Sequence, residues 1–333
     1  MKNNFKKEIS INFNNINLCV NPALECLGVI FIVSNFCLNK PRTNQKYVQL
    51  VCEHFSKFEN HELITQFKSL TQNNSFKYDA PLELMLNIFY NKKPSKELMQ
   101  RANLNTKKFN ALKKLLNSFV VETNFNEFFE NNKNYYIKNL NQFKFDMLKF
   151  SPSKYLFEFL GLSSKKLNIA LMFGITTSNY GITANKNLYC CVRPFKESRT
   201  EHEIDFSCNN VYTTTLILHE FAHHFINPLT AKFGFAVKKI DENKFKSAFD
   251  KNAYGTHKET VVNESVIRAI ECKFVEDNFG KAEYDEIKQD YLNDGFEYIP
   301  KLEELYKIYL TQRNKFKNMK KFYPQIIDLF VNH

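Results

Sequence analysis

The amino-acid sequence predicts an α+β fold that is mostly helical. Apolar residues recur at helical spacing through most of residues 46–150 and again beyond residue 210. Between these regions, segments 167–174 and 187–194 carry the short apolar runs typical of strands, which predicts a small sheet. This change of character, in a chain of 333 residues, predicts two lobes rather than one core.

The predicted first lobe, residues 1–150, is mainly helical and begins with a strand. Loose alternation and β-branched residues predict that strand over residues 9–20. Pro22 then opens an apolar helix, because proline is favoured in the first turn. Helices are expected at residues 22–37, 47–55, 81–90, 105–116 and 131–145.

The predicted second lobe, residues 151–333, contains the small sheet and a helical C-terminal part. Ser151 is a good N-cap for a helix that ends near Gly161. Residues 180–185 form a hairpin or an edge segment between the two strands. After Asn210 the pattern is helical, with loops expected near Pro228, Gly255 and Gly280.

The chain is basic, with a formal net charge of +11. One interpretation is a lysine-rich surface, and the other is an anionic partner such as nucleic acid. The positive charges form no long block, and no zinc-finger or other nucleic-acid motif is visible. A nucleic-acid partner is therefore not expected, and a peptide or protein is.

The 8 cysteines are scattered and include no C-x-x-C pair, so a structural thiolate zinc site is not expected. Such scattering fits a reducing compartment better than a disulfide scaffold. The first apolar run, residues 24–38, is a poor secretory segment and too short for a membrane span. We expect a cytoplasmic protein without a membrane partner, or a secreted one if a leader has been removed.

The chemistry is concentrated in the motif His219-Glu220-Phe221-Ala222-His223. On a helix, residues four apart share one face, so both imidazoles can reach one metal ion. Glu220 lies beside the first histidine, where its carboxylate can take a proton from a metal-activated water. The preceding run, residues 211–218, is strongly β-branched, but the geometry of the two ligands requires a helix.

A third ligand is expected downstream, and Glu264 is the first choice. It lies among valines and isoleucines, where an unpaired carboxylate would be costly, and a metal would supply the missing partner. Three other side chains remain open as the ligand: His257, Glu259 and Glu271. An ion pair of Glu264 with Arg268 is the purely structural alternative.

These motifs resemble the gluzincin branch of the zincin metallopeptidases, which combine H-E-x-x-H with a glutamate on a later helix. They are more similar still to an uncharacterised bacterial family with an H-E-F-x-H-x-F-x-N-P block and a later N-E-x-x-x-R-A helix. The matching segments are 219–228 and 263–269, and a Tyr-Gly segment of that family is matched by Tyr254-Gly255. The resemblance implies a zincin-like catalytic lobe and a peptidase assignment, without a substrate.

The chain departs from the better-known gluzincins at Arg268. Those proteins often have an aspartate there, which orients a ligand histidine, and arginine cannot accept that hydrogen bond. Glu271, Asn263 or a backbone carbonyl must then do so. Tyr254, in a loop before the Glu264 helix, is the candidate for stabilising the oxyanion. His257 and Arg268 are alternatives for that role, and His224 either tunes Glu220 or is simply half-exposed.

The sequence therefore predicts zinc-dependent hydrolysis of peptide bonds, with one Zn²⁺ held by His219, His223 and Glu264 and with Glu220 as the general base. Two alternatives come from other classes. One is a non-catalytic zinc-containing module that binds proteins, although such a module would not need Glu220. The other is a nucleic-acid-associated protein that carries the same motif.

Overall fold

The computed structural model describes residues 4–34, 46–72, 79–147, 150–175, 178–197, 204–206, 210–252 and 256–332. Over these residues the chain is mostly helical with a small mixed sheet, as predicted. It divides into two units. One comprises Met1–Asp146 with Lys166–Cys208, and the other comprises Met147–Lys165 with Asn209–His333.

The first unit contains a sheet of five strands among its described residues. They are β1 Ile9–Phe13, β2 Ile16–Val20, β3 Leu167–Leu171, β4 Tyr180–Ala184 and β5 Asn187–Val192, in the spatial order β1-β2-β3-β5-β4. The inner strands β2, β3 and β5 are parallel, and β1 and β4 pair antiparallel at the edges. All residues of β2 and β3 are buried, so the centre of the sheet belongs to the core.

Tight turns make the two antiparallel edges of this sheet. Asn14 and Asn15 have φ of 44° and 62°, and Asn185 and Lys186 have φ of 49° and 65°. Two consecutive residues with positive φ form the hairpin turn that matches the twist of the flanking strands, and asparagine tolerates this conformation. The single strand predicted over residues 9–20 is therefore wrong, because the two asparagines fold it into the β1–β2 hairpin.

Helices make up the rest of the first unit. In α1, Asn21 Oδ1 caps the helix by accepting from Ala23 N at 3.0 Å, and Pro22 occupies the first turn as predicted. The predicted end of this helix at residue 37 lies outside the described residues. The helices are α1 Pro22–Val33, α2 Lys46–Phe55, α3 Glu62–Gln72, α4 Ala80–Phe89, α5 Lys96–Arg101, α6 Thr106–Glu122, α7 Phe125–Asn131 and α8 Lys133–Met147. A short two-stranded sheet is formed by β6 Lys196–Glu197 and β7 Ile204–Asp205.

The regular secondary structure of the second unit, over its described residues, is helical. Its first helix ends at Gly161, whose φ of 67° is the left-handed conformation that favours glycine at a helix end. The helices are α9 Pro152–Leu160, α10 Asn210–Ala231, α11 Gly234–Lys238, α12 Lys246–Lys251, α13 Lys258–Asn278, α14 Lys281–Asn293, α15 Ile299–Thr311 and α16 Met319–Asn332. Within the described parts of the chain, no helix combines the length and apolar character that crossing a membrane requires.

The observed units divide the chain differently from the predicted lobes, 1–150 and 151–333. A change of unit does fall near residue 150, between Asp146 and Met147. However, β2 pairs with β3 over Ile16↔Leu167 to Cys19↔Ala170, which joins the start of the chain to strands predicted for the second lobe. The sheet therefore belongs to the first unit, and the histidine motif belongs to the helical second unit.

Candidate metal centre

The helix α10 carries the motif His219 to His223 in the middle of its 22 residues. Its first turns contain β-branched residues that by propensity favour a strand. The hydroxyls of Thr214 and Thr215 instead bond to carbonyls one turn earlier, at 2.5 Å from Asn210 O and 2.8 Å from Val211 O. The segment is helical, so both histidines lie on one face, as the spacing of the motif requires.

This helix also runs further than the sequence predicts. The loop expected near Pro228 is wrong, because α10 continues to Ala231 with the proline inside it. Proline lacks a backbone donor and crowds the preceding turn, but the final turn is anchored by burial of Leu229 and Thr230. The Thr230 hydroxyl lies 2.5 Å from the Tyr323 hydroxyl. Asn227 consequently lies on the helix, one turn beyond His223.

Three side chains from α10 and α13 converge at one point. The Nε2 atoms of His219 and His223 are 3.0 Å apart. Glu264 Oε2 lies 3.6 Å from His219 Nε2, and Glu264 Oε1 lies 3.4 Å from His223 Nε2. Among the described residues these three form the group whose ligand atoms, within 4.8 Å of one another, could hold a metal ion.

The spacing of these atoms suits a metal ion held between them. Two ligands on tetrahedral zinc, each 2.0–2.1 Å from the metal, lie about 3.3 Å from one another. The observed separations of 3.0, 3.4 and 3.6 Å lie on either side of that value. The Glu264 side chain is only 9% exposed, and its Oε2 atom accepts no hydrogen bond from the described residues. Two imidazoles and a carboxylate are a common zinc donor set.

Each histidine is held by its other ring nitrogen. His219 Nδ1 donates to Glu271 Oε1 at 3.0 Å, and the Tyr291 hydroxyl donates to Glu271 Oε2 at 2.7 Å. His223 Nδ1 donates to Asn227 Oδ1 at 3.1 Å. With each Nδ1 donating to its acceptor, both Nε2 atoms face the position between the three side chains, where they lie 3.0 Å apart.

Arg268 is the cation nearest to Glu264 along α13. Its Nη2 atom lies 3.1 Å from Glu264 Oε2. The guanidinium is enclosed by two aromatic rings, 4.7 Å from the Tyr291 centroid and 4.5 Å from the Phe296 centroid. The ion pair that the sequence offered as a structural alternative is therefore present together with the two histidines, rather than in their place.

The charges of the site act on one another strongly. Burial alone would lower the pKa of the His219 imidazole, but the carboxylates of Glu271 and Glu264 raise it to about 9. Burial and the neighbouring His219 lower the pKa of His223. Burial would raise the pKa of Glu264, whereas the two histidines and Arg268 lower it. The carboxylates thus favour one positive charge between the imidazoles, which a metal ion can supply.

Glu220 lines a cleft together with the first histidine of this group. Arg268 also lines this cleft, which has a volume of about 660 Å³ and lies in the second unit. Its neighbour Phe221 is buried, whereas Glu220 is half-buried. A carboxylate next to a ligand histidine and facing a cleft is placed to exchange protons with a bound molecule.

The other sequence candidates have different positions. Tyr254 lies outside the described residues. His257 is exposed at the N-cap of α13, and Glu259 lies beside Gly234. Glu271 contacts the Nδ1 atom of His219, on the opposite side of the ring from Nε2.

Asn227 and Tyr291 also contact the site, and neither was predicted from the sequence. Asn263 accepts from the Thr230 hydroxyl, which leaves Glu271 and Asn227 as the acceptors for the histidines. Asn227 follows His223 by four residues, so helical spacing could have found it, but the loop expected near Pro228 placed it outside the helix. Tyr291 lies on α14, and nothing in its local sequence connects it to the motif.

One family model matches the chain. The model described as a domain of unknown function (DUF4932) matches residues 95–329, which is 235 of 333 residues and includes every described residue of the site. No curated protein and no solved structure matches the chain.

Proposed function

The chain belongs to the DUF4932 family, and we propose that it is a zinc-dependent enzyme that hydrolyses peptide bonds. One observation carries the proposal. His219, His223 and Glu264 bring three ligand atoms within 4.8 Å of one another, and Glu220 lies next to the first of them. A site that only bound a metal would need the three ligands but not the adjacent carboxylate facing a cleft.

In this proposal His219, His223 and Glu264 hold the metal, as in the gluzincins that the sequence resembles. Zinc bound there would activate a water molecule and polarise the carbonyl of the scissile bond. Glu271 and Asn227 fix the ring orientations of the two histidines through hydrogen bonds of 3.0 and 3.1 Å. The site thereby keeps both Nε2 atoms available as ligands.

Glu220 has the role of general base and then of general acid. Its carboxylate takes a proton from the attacking water and passes it to the leaving amine. Arg268 lines the same cleft and positions Glu264 through their 3.1 Å ion pair. We keep Tyr254 as the candidate donor to the oxyanion, with Arg268 as the alternative.

The substitution Glu220→Gln tests this mechanism. Glutamine keeps the size and hydrogen bonding of the side chain but cannot accept the proton. With zinc added back to chelator-treated protein, we expect the kcat/KM on a broad peptide library to fall roughly 10²–10⁴-fold. Zinc content should stay at about one ion per chain, since Glu220 is not a ligand.

Glu276→Gln is the matched control, because it makes the same change at an exposed position on α13. It should alter neither zinc content nor hydrolysis. Undiminished activity in the Glu220→Gln protein would rule out the proposed base. Zinc-loaded protein that cleaves nothing in the library would instead favour the protein-binding module.

A further inference from the structure

One wall of the cleft is unusually acidic. The helix α14 contributes Glu283, Glu286 and Asp290, and Asp294 follows at its end. These residues are spaced by three, four and four positions, so they lie along one face of the helix. All four are exposed to solvent. Eleven residues at 1.5 Å each make this acidic wall about 16 Å long.

The wall carries no compensating cations within the described residues. The lysines of α14 pair elsewhere: Lys281 with Asp285, and Lys288 with Glu303 at 2.6 Å. Neither acidic partner lines the cleft. Of the described residues that line it, Arg268 is the one arginine or lysine, and it lies 3.1 Å from Glu264. The negative charge of the wall is left facing the cleft.

This concentration runs against the composition of the chain, whose net charge is +11. Carboxylates one turn apart also repel one another, as Glu286 and Asp290 do, and weaken their own helix. An acidic face beside a pocket raises the local concentration of cationic ligands. Side chains spread over about 16 Å cannot converge on one small cation, but they match an extended peptide of roughly five residues.

The acidic wall lines the same cleft as one residue of the candidate metal centre. His219 lines the same cleft, and its Nε2 lies 3.6 Å from Glu264 Oε2, a buried oxygen that accepts no hydrogen bond from the described residues. Ile287 and Tyr291 lie between the carboxylates on the same helix face. They offer apolar surface to the aliphatic stem of a lysine or arginine whose charged end reaches a carboxylate.

We propose that this cleft selects peptide substrates that carry lysine or arginine within a few residues of the scissile bond. The inference rests on the proposed hydrolysis and adds its substrate class. The acidic wall binds the basic side chains, and Glu220, which lines the same cleft beside His219, acts on the backbone between them.

The test uses three synthetic peptides that differ only in two positions, occupied by lysine, glutamine or glutamate. The zinc-loaded wild-type protein should hydrolyse the lysine peptide with the highest kcat/KM and the glutamate peptide with the lowest. The preference for lysine should shrink between about 0.05 and about 0.5 M salt, because exposed charges are screened. In the double variant Glu286→Gln/Asp290→Asn, the lysine-to-glutamine ratio of kcat/KM should fall about five- to tenfold.

Asp285→Asn is the matched control, since it removes one carboxylate from the same helix but away from the cleft. It should leave the ratio unchanged. Equal hydrolysis of the three peptides, or a ratio that survives the double variant, would overturn the inference and leave the proposed hydrolysis intact.

Binding to the zinc-loaded Glu220→Gln protein, followed by fluorescence anisotropy, separates the two proposals. Preferential binding of the lysine peptide that is lost when Glu286→Gln and Asp290→Asn are added to Glu220→Gln supports the acidic wall, even if the wild type cleaves none of the peptides. Absence of cleavage by the wild type would count against the proposed hydrolysis but not against the acidic wall. Equal binding of the three peptides would overturn the inference regardless of cleavage.

Discussion

Each unit of this protein buries a glutamate in a helix, and the two glutamates are in opposite electrical states. Glu25 in α1 is 1% exposed, and Glu264 in α13 is 7% exposed. The Tyr136 hydroxyl, 3.3 Å away, donates to Glu25, whose pKa burial raises to about 8. Burial acts in the same direction on Glu264, but its cationic neighbours lower its pKa.

The difference shows that burial alone does not identify a site. A buried carboxylate without a cation takes up a proton and becomes neutral, as Glu25 does at neutral pH. A buried carboxylate that stays charged must be surrounded by positive groups. Glu264 has His219, His223 and Arg268 within 3.6 Å of its oxygens, and two of the three can bind a metal.

The largest expected effect comes from removing Glu264. A complete structural zinc site is worth about 10–16 kcal/mol, so the loss of one ligand should weaken zinc binding on the order of 10²–10³-fold. Glu264→Ala and Glu264→Gln should both show this loss in a titration against a chelating dye, with the helical circular dichroism retained. Glu25→Gln is the control, and its zinc affinity should equal that of the wild type.

Unchanged zinc affinity in both Glu264 variants would break the comparison. The ligand would then be one of the other residues that the sequence left open, His257, Glu259 or Glu271. Glu271 would be the first to examine, because it already contacts His219 at 3.0 Å.

The second prediction concerns the pH dependence that Glu25 gives to folding. The pKa of Glu25 is raised from 4.5 to about 8. Between pH 4.5 and about pH 8, the folded chain therefore keeps a proton on Glu25, whereas the unfolded chain has released it. This contribution is fully present below pH 4.5 and is lost as pH rises through about 8. From about pH 6 to about pH 9 the loss should be roughly 3 kcal/mol.

Glu25→Gln should remove that part of the pH dependence, since glutamine has no proton to lose. Urea unfolding of both proteins at the two pH values, with chelator present, measures the difference. If wild type and variant lose the same stability between the two pH values, then Glu25 is already charged in the folded chain, and the contrast with Glu264 disappears.

The local sequence was sufficient to predict which three side chains converge on α10 and α13, but not the residues that surround them. The four-residue spacing of His219 and His223 predicted their common face, and a carboxylate among apolar neighbours predicted that Glu264 needed a partner. Asn227 was misplaced because Pro228 suggested the end of a helix. Proline in the last turn disfavours the helix, but burial of Leu229 and Thr230 holds that turn in place, and burial is a tertiary property.

The sheet shows the same limit. Segments 167–174 and 187–194 were predicted as strands, and β3 and β5 lie there. The partner of β3 on its other side, β2, lies about 150 residues earlier, in register Ile16↔Leu167. Pairing of buried parallel strands depends on packing across the sheet, because neither strand carries an alternating pattern that would set the register.

The smallest expected effect sharpens the comparison within the metal site. His219 is oriented by a buried, charged acceptor, Glu271, whereas His223 is oriented by an exposed, neutral one, Asn227. Glu271→Gln keeps an acceptor oxygen but removes the charge, so zinc affinity should fall about 10–100-fold. Asn227→Ala should cost less than about tenfold, because water can replace the lost amide at an exposed position. Asn278→Ala makes the same change elsewhere on an exposed helix surface and should leave the zinc affinity unchanged.

Titrations of the three variants against one chelator give the order of their zinc affinities directly. An Asn227→Ala loss equal to that of Glu271→Gln would show that orientation, rather than charge and burial, sets the affinity of the site.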